Sequence, residues 1–365
     1  MPRRVAVVTT WFPSAERPTE APFNLDHTRA IARSSDVAVF HLRLGGSGAI
    51  RTEDYAGFRV TRIPLSPRHP LRALRGLRIL LLRTRTADIV QTMAFSSVLA
   101  VALIRPWLRR PWAHIEHWNG VSAPESVGRL WYAFRWLRRL LGLTDFVGGV
   151  TGELTRCLER FAKGKPSAVV PCVVENPEPI PDARPEGLHL VALGGLIPRK
   201  NPLLAVDVVA ALRERHPEVT MRWVGDGPQR AAVAARIAEL GLGDVVTLVG
   251  NVPPEHRFRE FAPASLYFLP TTQENFFTSA AEALSAGLPV VAARVGGFTD
   301  FADDSNSVLI GRDEMRVQPF VAAIEEAASR FADVGPAAIA EPIRARFGLD
   351  TLAEQFDRIH SALLA

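Results

Sequence analysis

The amino-acid sequence predicts an α/β protein made of two doubly wound domains. Apolar strand-like segments alternate with helical segments along both halves of the chain, which is typical of parallel sheets covered by helices on both faces. A proline-rich stretch, residues 171–187, interrupts this alternation near the middle of the chain. The length of 365 residues also fits two domains of ordinary size better than one.

The first half, residues 1–170, is predicted to form an N-terminal domain. Short apolar runs predict its strands at 3–10, 36–42, 87–93 and 112–118. Helices are predicted at 24–33 and 96–108. Two further stretches, 70–85 and 128–142, mix arginines with leucines and aromatic residues at helical spacing, so both are predicted to be amphipathic helices.

The second half, residues 188–345, repeats the alternation and predicts a C-terminal domain. The strands are predicted at 189–195, 220–225, 245–250, 266–270 and 289–293. The helices are predicted at 202–213, 229–240, 255–262 and 279–286. Residues 346–365 predict a final amphipathic helix, which packs either on the C-terminal domain or back on the N-terminal domain.

The charge is divided unevenly between the two halves. Residues 1–180 contain 26 Lys and Arg against 14 Asp and Glu, whereas the remainder contains 17 against 24. Three interpretations of the basic half stay open: helices with solvated arginine faces, peripheral contact with an anionic membrane, or nucleic acid. Because no nucleic-acid module is recognisable, we expect no nucleic-acid partner.

The remaining composition favours a cytoplasmic protein, with peripheral contact at the inner face of a membrane left open. No window approaches eighteen uncharged apolar residues, so no spanning helix is expected. Cys157 and Cys172 are too few for a disulfide framework or a zinc site. The first residues, MPRRVAVVTTWF, are interpreted as a strand rather than a signal peptide.

Two acids, Glu274 and Glu282, lie in the otherwise apolar run TTQENFFTSAAEALSAGLPVVAARVGG. If both lay on one helix, their backbones would be about 12 Å apart, which is wider than the roughly 5 to 9.5 Å between glycosidase carboxyls. Two solvated acids at a helix rim are one interpretation. The alternative is that they contact the two ends of a long ligand, whose anionic middle meets the helix start near Thr278 and Ser279.

Glycines end four predicted strands of the second half. In LGGLIPRKNP, Gly194 and Gly195 allow close approach of the backbone to a ligand, and Arg199 and Lys200 could neutralise a pyrophosphate. Lys200 is one of only three lysines in the chain. The stretches VGDGP (224–228), LVGNVP (248–253) and AARVGGFTD (292–300) are the other three.

From Glu274 to Gly297 the chain resembles the retaining glycosyltransferases of family 4. The shared pattern is E-x7-E, followed by E-A-L-x-x-G-x-P-V-V and G-G. The resemblance is strong over 189–312 and looser over the rest of the chain. It implies the GT-B fold, in which two Rossmann-like domains face each other across a cleft and a C-terminal helix crosses back.

The resemblance also implies a function and a set of site residues. We expect a hexosyltransferase-like enzyme that takes a UDP- or GDP-linked sugar donor and a small-molecule or lipid-linked acceptor, without a cofactor or metal ion. The expected catalytic residues are His117, Lys200 and Glu274. The expected donor-binding residues are Gly194, Gly195, Arg199, Lys200, Gly250, Asn251, Val252, Glu274, Phe276, Phe277, Thr278 and Glu282, and the expected acceptor-binding residues are Trp11, Pro13, His117 and Trp118.

The chain departs from the family pattern at two of these positions. Gly195 occupies the place of a common arginine, and Phe277 that of the usual glycine within the acid motif. These departures leave open a non-catalytic relative that binds sugar nucleotides. A nucleotide-sugar epimerase also stays open, because such enzymes can share this two-domain fold.

Overall fold

The computed structural model describes residues 2–18, 20–46 and 48–365 of the chain. It divides into two compact units: an N-terminal unit, Met1–Val173 with Leu349–Ala365, and a C-terminal unit, Val174–Gly348. The stretch 171–187, interpreted above as a linker, is divided between them, because 174–187 belong to the C-terminal unit. The C-terminal helix, Leu349–Leu364, belongs to the N-terminal unit.

Over its described residues, the N-terminal unit is built on an eight-stranded sheet. The strands are β1 (Arg3–Thr9), β2 (Ser35–Leu44), β3 (Arg51–Tyr55), β4 (Phe58–Leu65), β5 (Ile89–Met93), β6 (Trp112–Glu116), β7 (Phe146–Gly149) and β8 (Ser167–Val169). Their order is β3-β4-β2-β1-β5-β6-β7-β8, and the pairs are parallel except for β3 with β4. Strands β5, β6 and β7 are buried along their whole length, as strands covered on both faces are.

Helices cover both faces of this sheet. The connecting helices are α1 (Pro22–Ala32), α2 (Pro70–Thr84), α3 (Phe95–Ile104), α4 (Arg129–Ala133) and α5 (Gly152–Glu159). The chain moves from β1 through α1 to β2 in one direction along the sheet, and through α2 and α3 in the other, so right-handed crossovers place α1 on the opposite face from α2 and α3. The C-terminal helix packs against α1, where the ring centres of Phe356 and His27 are 5.2 Å apart.

Four strands of this unit were not predicted: β3, β4, β7 and β8. The first two form an antiparallel hairpin whose turn residues, Ala56 and Gly57, have φ values of 51° and 85°. Two positive φ values are the requirement of the tight turn that suits the twist of a hairpin. Strand β3, RTEDY, is polar and largely exposed, so its sequence lacks the apolar run that marks the other strands.

Residues 128–142, predicted as one amphipathic helix, are divided in the structure. Helix α4 ends at Ala133, and a 3₁₀ helix, Arg135–Leu143, follows it. Contacts with the preceding turn fix both pieces: Trp131 Nε1 donates to the Gly120 carbonyl at 2.7 Å, and Arg138 donates to the Val121 carbonyl at 2.8 Å. These tertiary contacts take precedence over the helical periodicity of the sequence.

Over its described residues, the C-terminal unit is built on a six-stranded parallel sheet. The strands are β9 (His189–Leu193), β10 (Thr220–Val224), β11 (Val246–Gly250), β12 (Leu266–Leu269), β13 (Val290–Ala293) and β14 (Ser307–Ile310), in the order β11-β10-β9-β12-β13-β14. The chain turns back at β9, whose neighbours β10 and β12 lead to opposite edges. In such sheets ligands bind beyond the carboxyl ends of the strands at this reversal point.

The helices of the C-terminal unit agree closely with the predicted positions up to residue 286. They are α6 (Pro202–Arg213), α7 (Arg230–Glu239), α8 (Thr278–Ser285), α9 (Val317–Arg330) and α10 (Pro336–Phe347). The predicted helix 255–262 is a 3₁₀ helix, Pro254–Phe261. Strand β14 and helices α9 and α10 were not predicted.

Arg184 attaches the start of the C-terminal unit to its core. Its guanidinium donates to the carbonyls of Gly287, Phe331 and Val334, at distances between 2.5 and 3.1 Å. Burial lowers the pKa of this arginine. Residues 174–187 are therefore anchored to the C-terminal unit in spite of their proline content.

No helix among the described residues is long and apolar enough to cross a membrane.

Candidate active site

The glycine-bearing ends of β9, β10 and β11 lie side by side in the C-terminal unit. The Gly194 amide donates to the Val224 carbonyl at 2.9 Å, and the Gly225 amide donates to the Gly250 carbonyl at 2.8 Å. A Cβ added to Gly225 would lie 2.2 Å from the Gly194 oxygen, so only glycine fits there. This edge of the sheet therefore presents main chain rather than side chains.

Lys200 approaches the same edge from the turn after β9. It ends the 3₁₀ turn Pro198–Lys200, and the next residue, Asn201, has a φ of 53°. The lysine side chain passes directly over Gly194, where an added Cβ would lie 3.2 Å from its Cε. The glycine thus leaves space for the aliphatic stem of the lysine.

Glu274 receives three hydrogen bonds at a single carboxylate oxygen. Its Oε1 lies 2.6 Å from Lys200 Nζ, 2.9 Å from an Arg199 nitrogen and 2.8 Å from Thr271 Oγ1. The side chains of Lys200 and Glu274 are 8% and 9% exposed, whereas that of Arg199 is 46% exposed. Bonds between ionised partners are short and about twice as strong as neutral ones.

The charges of this cluster favour an anionic ligand. Two cations, Lys200 and Arg199, share one carboxylate, Glu274, which leaves one net positive charge. Burial lowers the pKa of Lys200, and the neighbouring Glu274 opposes that shift. A cation in a partly desolvated site attracts an anion more strongly than the same cation in water.

Helix α8 begins beside this cluster. Its N-cap residue, Phe277, has a φ of 66°, and no side chain caps the helix by a hydrogen bond. The Phe277 ring is 2% exposed and packs edge to face against Tyr267 and Phe298, while Lys200 Nζ lies 5.4 Å from the ring centre. First-turn amides of a helix have no intrahelical partner, so they can bind an anion there.

Gly296 and Gly297 hold in position the loop that carries Glu274, which we call the acid loop. The Gly297 amide donates to the Asn275 carbonyl at 2.6 Å. A Cβ added to Gly296, whose φ is 53°, would lie 1.9 Å from the Glu274 carbonyl oxygen. The backbone at Glu274 is thus packed against the loop that follows β13.

Glu282 lies on α8, but Glu274 does not. Helix α8 begins at Thr278, so the separation calculated for two acids on one helix does not apply. The Glu282 carboxylate is largely buried and forms an ion pair with the Arg257 guanidinium, at a distance of 2.9 Å. The same guanidinium lies 4.6 Å from the ring centre of Phe258.

The other expected donor-binding residues divide into backbone and side-chain positions. Gly250 ends β11 with a φ of 83°, and Asn251 next to it is exposed while Val252 is partly buried. Gly195 lies close to the next loop, because an added Cβ would be 3.3 Å from the Asp226 oxygen. The side chain of Phe276 is buried against Phe301 and Phe347, so only its backbone could contact a ligand.

The expected acceptor-binding residues lie in the N-terminal unit. The rings of Trp11 and Trp118 meet edge to face, with centres 6.2 Å apart. Pro13 is buried, and its carbonyl accepts a hydrogen bond from Arg62 at 2.8 Å. His117 follows β6 and stacks on Phe23, with ring centres 4.6 Å apart.

A second histidine determines the protonation of His117. His27 Nε2 lies 2.8 Å from the Pro171 carbonyl, which can only accept, so His27 carries its proton on Nε2. His27 Nδ1 then accepts from His117 Nε2 at 3.1 Å. Burial lowers the pKa of His27 to about 4 and that of His117 well below its ordinary value, so both are neutral at pH 7.

Glu116, which the sequence analysis did not identify, fixes the backbone at His117. Its Oε1 accepts the amides of His117 and Trp118, both at 2.9 Å, and its Oε2 lies 3.4 Å from His114 Nε2. Both His114 and Glu116 are fully buried. The sequence signal that could have identified Glu116 is the segment HIEHW, in which this acid stands between two histidines.

Three more residues of the C-terminal unit were also missed: Arg257, Tyr267 and Thr271. Tyr267 donates to Ser279 Oγ at 2.8 Å at the start of α8, and burial raises its pKa. Arg257 is seventeen positions before Glu274 in sequence, so no short motif contains both.

Within residues 2–18, 20–46 and 48–365, no three His, Cys, Asp or Glu side chains come together as metal ligands would.

A comparison with protein families matches the site-bearing region. Residues 187–330 match the family described as glycosyl transferases group 1. The matched residues make up most of the C-terminal unit, Val174–Gly348. The matched region contains Lys200, Glu274, Glu282 and the four glycine-bearing strand ends.

Curated relatives of this chain carry glycosyltransferase names. It is 34% identical over 161 residues to the 2-deoxystreptamine glucosyltransferase of Streptomyces kanamyceticus, covering 44% of this chain and 40% of that protein. It is 33% identical over 142 residues to the D-inositol 3-phosphate glycosyltransferase of Acidothermus cellulolyticus, covering 36% of this chain and 32% of the relative. The chain thus spans less than half the length of these relatives.

Solved structures resemble the chain over almost its whole length. HepE from Anabaena, in complex with UDP, has a TM-score of 0.76 at 18% identity and covers 99% of this chain and 100% of its own. Sucrose-phosphate synthase from Thermosynechococcus elongatus has a TM-score of 0.70 at 18% identity, with 99% of both chains covered. At this identity the likeness shows the fold, and the predicted GT-B fold is confirmed.

Proposed function

We propose that the protein is a retaining glycosyltransferase of family 4. It transfers a hexose-like sugar from a nucleotide-sugar donor to a hydroxyl group of a small-molecule, lipid or saccharide acceptor. The donor binds to the C-terminal unit, and the acceptor contacts Trp11, Pro13, His117 and Trp118 of the N-terminal unit. The match of residues 187–330 to the group 1 glycosyl transferases supports this assignment.

The observation that carries the proposal is the buried Lys200–Glu274 pair beside the start of α8. Transfer of a sugar breaks its bond to a phosphate, so negative charge develops on the departing nucleotide. Lys200, the more exposed Arg199 and the first amides of α8 are cationic or partly positive groups at one place. Groups arranged in advance around a developing charge usually make the largest contribution to catalysis.

The two acids and the glycine edge account for the rest of the donor. Glu274 accepts hydrogen bonds from hydroxyls of the transferred sugar, and Glu282 accepts from those of the ribose. The main chain at Gly250, Asn251 and Val252 receives the flat base. Gly194 and Gly195 allow the backbone to approach the diphosphate closely.

We infer retention and the absence of a metal ion from the family resemblance and from the cation supply. Lys200 and Arg199 provide the positive charge that a metal would otherwise bring to a diphosphate. His117 acts as a neutral hydrogen-bonding group at the reacting sugar, since burial holds its pKa far below 7.

We favour a uridine nucleotide as the nucleotide part of the donor. HepE, the fold neighbour named above, was crystallised with UDP and with UDP-glucose. A guanosine nucleotide is the second candidate. The names of the relatives differ in their acceptors, one being 2-deoxystreptamine and the other D-inositol 3-phosphate, so the acceptor is left as a hydroxyl compound.

The test is to incubate the protein with UDP- and GDP-sugars and measure nucleotide release, with and without a chelator. Lys200→Ala and Glu274→Ala are expected to lower release by roughly 100-fold or more. Lys163→Ala is the matched control, because Lys163 is an exposed lysine of the N-terminal unit. Product anomers read by NMR should keep the configuration of the donor.

Other outcomes favour the two alternatives. Thermal stabilisation by a nucleotide sugar without turnover, under any acceptor tried, indicates a non-catalytic binding protein. Conversion of one donor sugar into its epimer indicates an epimerase. Equal release by the wild type and the Lys200→Ala variant contradicts the assigned site.

A further inference from the structure

Within the part of the chain that the structure describes, large apolar side chains are exposed in one of the two units and not in the other. Among the described residues, every exposed large apolar side chain belongs to the N-terminal unit. Most of them fall in three segments. The first is α2, the second is the end of α3 with the turn that follows it, and the third begins at α4. Their exposed members are Leu71, Leu74 and Leu82 in the first, Leu103 and Trp107 in the second, and Leu130, Tyr132, Phe134, Trp136 and Leu143 in the third. Such a concentration marks an interaction surface, since single exposed apolar residues are usually scattered.

The three segments are neighbours on one side of the sheet. Helix α3 contacts both α2 and the 3₁₀ helix Arg135–Leu143. The end of α2 is joined to the turn after α3, because Arg85 donates to the Trp107 carbonyl at 3.1 Å. All three segments cross in the same direction along the sheet, so they share the face opposite α1. We call residues 68–85, 103–110 and 128–143 the basic apolar face.

This face is strongly cationic. Residues 68–85 contain six arginines and no acid, and residues 128–143 contain four arginines and no acid. Arg135 and Arg138 are held in place by bonds to the carbonyls of Tyr132, Arg135 and Val121, at 2.8 to 2.9 Å. Carbonyl acceptors orient a guanidinium without cancelling its charge, and its remaining N–H groups can bind a phosphate.

The face also contains a pocket suited to an anionic head group. A surface pocket of about 330 Å³ is lined by Ala133, Arg135, Trp136, Arg138, Arg139 and Phe161. The Arg138 guanidinium lies 4.6 Å from the ring centre of Phe161, and that of Arg135 lies 4.1 Å from the ring centre of Tyr132. Arginine, tryptophan and tyrosine together form the composition found at the boundary between lipid head groups and acyl chains.

We propose that the basic apolar face docks the N-terminal unit on an anionic phospholipid bilayer. The leucines and aromatic side chains enter the head-group region, and the arginines bind lipid phosphates. A protein partner would need an acidic and apolar surface that matches this face. An anionic bilayer, by contrast, offers phosphates and acyl chains to all three arginine-rich segments at once. This inference goes beyond the proposed transferase activity and does not rest on it.

The test is co-sedimentation of the full chain with vesicles, without any sugar donor. Vesicles of phosphatidylcholine and phosphatidylglycerol in equal parts should bind the protein, and vesicles of phosphatidylcholine alone should bind it far less. Added salt should weaken binding, because surface charges are screened. The variant Arg72→Glu/Arg75→Glu should bind roughly tenfold more weakly or worse. Leu130→Ser/Phe134→Ser/Trp136→Ser should lose a similar amount.

Matched controls come from the C-terminal helix on the opposite face. Leu364 is 46% exposed, and the side chain of Arg358 is 69% exposed. The variant Arg358→Glu/Leu364→Ser should bind vesicles as the wild type does, and circular dichroism should show that all variants are folded. Equal binding to both kinds of vesicle, or binding unchanged in both face variants, overturns the proposal. So does self-association that the Leu130, Phe134 and Trp136 substitutions abolish, because the face is then a contact between copies of the chain.

Discussion

The Lys200 ammonium lies 2.6 Å from the Glu274 carboxylate, and both side chains are more than nine-tenths buried. The two partners are not equivalent, however. Glu274 also contacts Arg199 and Thr271, so it keeps two donors when Lys200 is removed. Among the described residues, Glu274 is the acid paired with Lys200, so its removal leaves a buried cation without an opposite charge.

We therefore predict an asymmetric double-mutant cycle. Glu274→Leu should lower the free energy of unfolding of the C-terminal unit by about 3 kcal/mol or more, because an uncompensated buried charge remains. Lys200→Met should cost about 1 to 2 kcal/mol, the loss of one charged hydrogen bond. The double variant should cost less than the sum. Equal costs for the two single variants would contradict this view of the pair.

Trp223 provides the signal that isolates the C-terminal unit. The chain has seven tryptophans, and Trp223 is the one that belongs to this unit. It is 1% exposed, and its Nε1 donates to the Gly194 carbonyl at 2.8 Å. In protein labelled with 5-fluorotryptophan, the fluorine resonance of Trp223 should follow unfolding of this unit in urea.

A second prediction concerns Gly296. Its φ is 53°, and an added Cβ would lie 1.9 Å from the Glu274 carbonyl oxygen, so Gly296→Ala must displace the acid loop. We expect a loss of about 3 kcal/mol or more of stability and of donor binding. Gly241→Ala is the control: Gly241 has a φ of 63° but open space around it, so strain alone should cost about 1 kcal/mol. Thermal shift with and without UDP would measure both effects, and similar losses in the two variants would refute the steric argument.

A third prediction reverses the usual order of alanine and glycine. Phe277 has a φ of 66°, where glycine is unstrained and alanine is not. Phe277→Gly should therefore be more stable than Phe277→Ala by about 1 kcal/mol, although both lose the buried ring. Phe276, which is buried nearby without a positive φ, should show the ordinary order with alanine the more stable. Urea unfolding followed through Trp223 would decide between the two orders.

The fourth prediction is an acid-sensitive N-terminal unit. Burial lowers the pKa of His27 from 6.5 to about 4, so the unfolded chain takes up this proton at a higher pH than the folded chain does. The stability from the neutral ring is complete above pH 6.5 and is lost as the pH falls through 4, by about 3 kcal/mol at most. Burial lowers the pKa values of His41 and His360 in the same unit as well, to about 4 and about 3.

Unfolding midpoints measured between pH 7 and pH 4 test this dependence. The fluorine resonances of the N-terminal tryptophans should show the loss of stability, while that of Trp223 should show less. The variant His27→Gln does not titrate, so its stability should depend less steeply on pH. An unchanged slope in this variant would mean that His27 does not take part in the transition.

Sequence patterns predicted the second half of the chain better than the first, and the reason is local. Helix α6 begins at Pro202, a residue favoured at the first helical position, and its predicted bounds agree with the structure. The β3–β4 hairpin was missed because its first strand is polar and its turn is Ala56–Gly57, which carries no strong turn signal. The segment 128–142 was assigned the wrong helix type because contacts at Trp131 and Arg138 determine its shape.

The motif of Glu274 and Glu282 drew attention to the candidate site, but it did not show how the side chains there pair. The spacing of Glu274 and Glu282 was apparent, but the condition considered for it, that one helix carries both acids, does not hold, since α8 begins at Thr278. Arg257 and Thr271 could not be assigned from sequence, because hydrogen bonds between distant segments are set by the packing of the sheet. The membership of His27 in the His117 pair depends on the same long-range packing.

The order of the units along the chain has a consequence for synthesis on the ribosome. The C-terminal unit is one uninterrupted stretch, Val174–Gly348, whereas the N-terminal unit needs the helix Leu349–Leu364, which is translated after that stretch. Phe356 and His360 of that helix are buried, so α1 stays uncovered while the intervening 175 or so residues emerge. The N-terminal unit is therefore begun before the C-terminal unit but completed after it, and a nascent chain halted before Leu349 should expose α1 to chaperones and proteases.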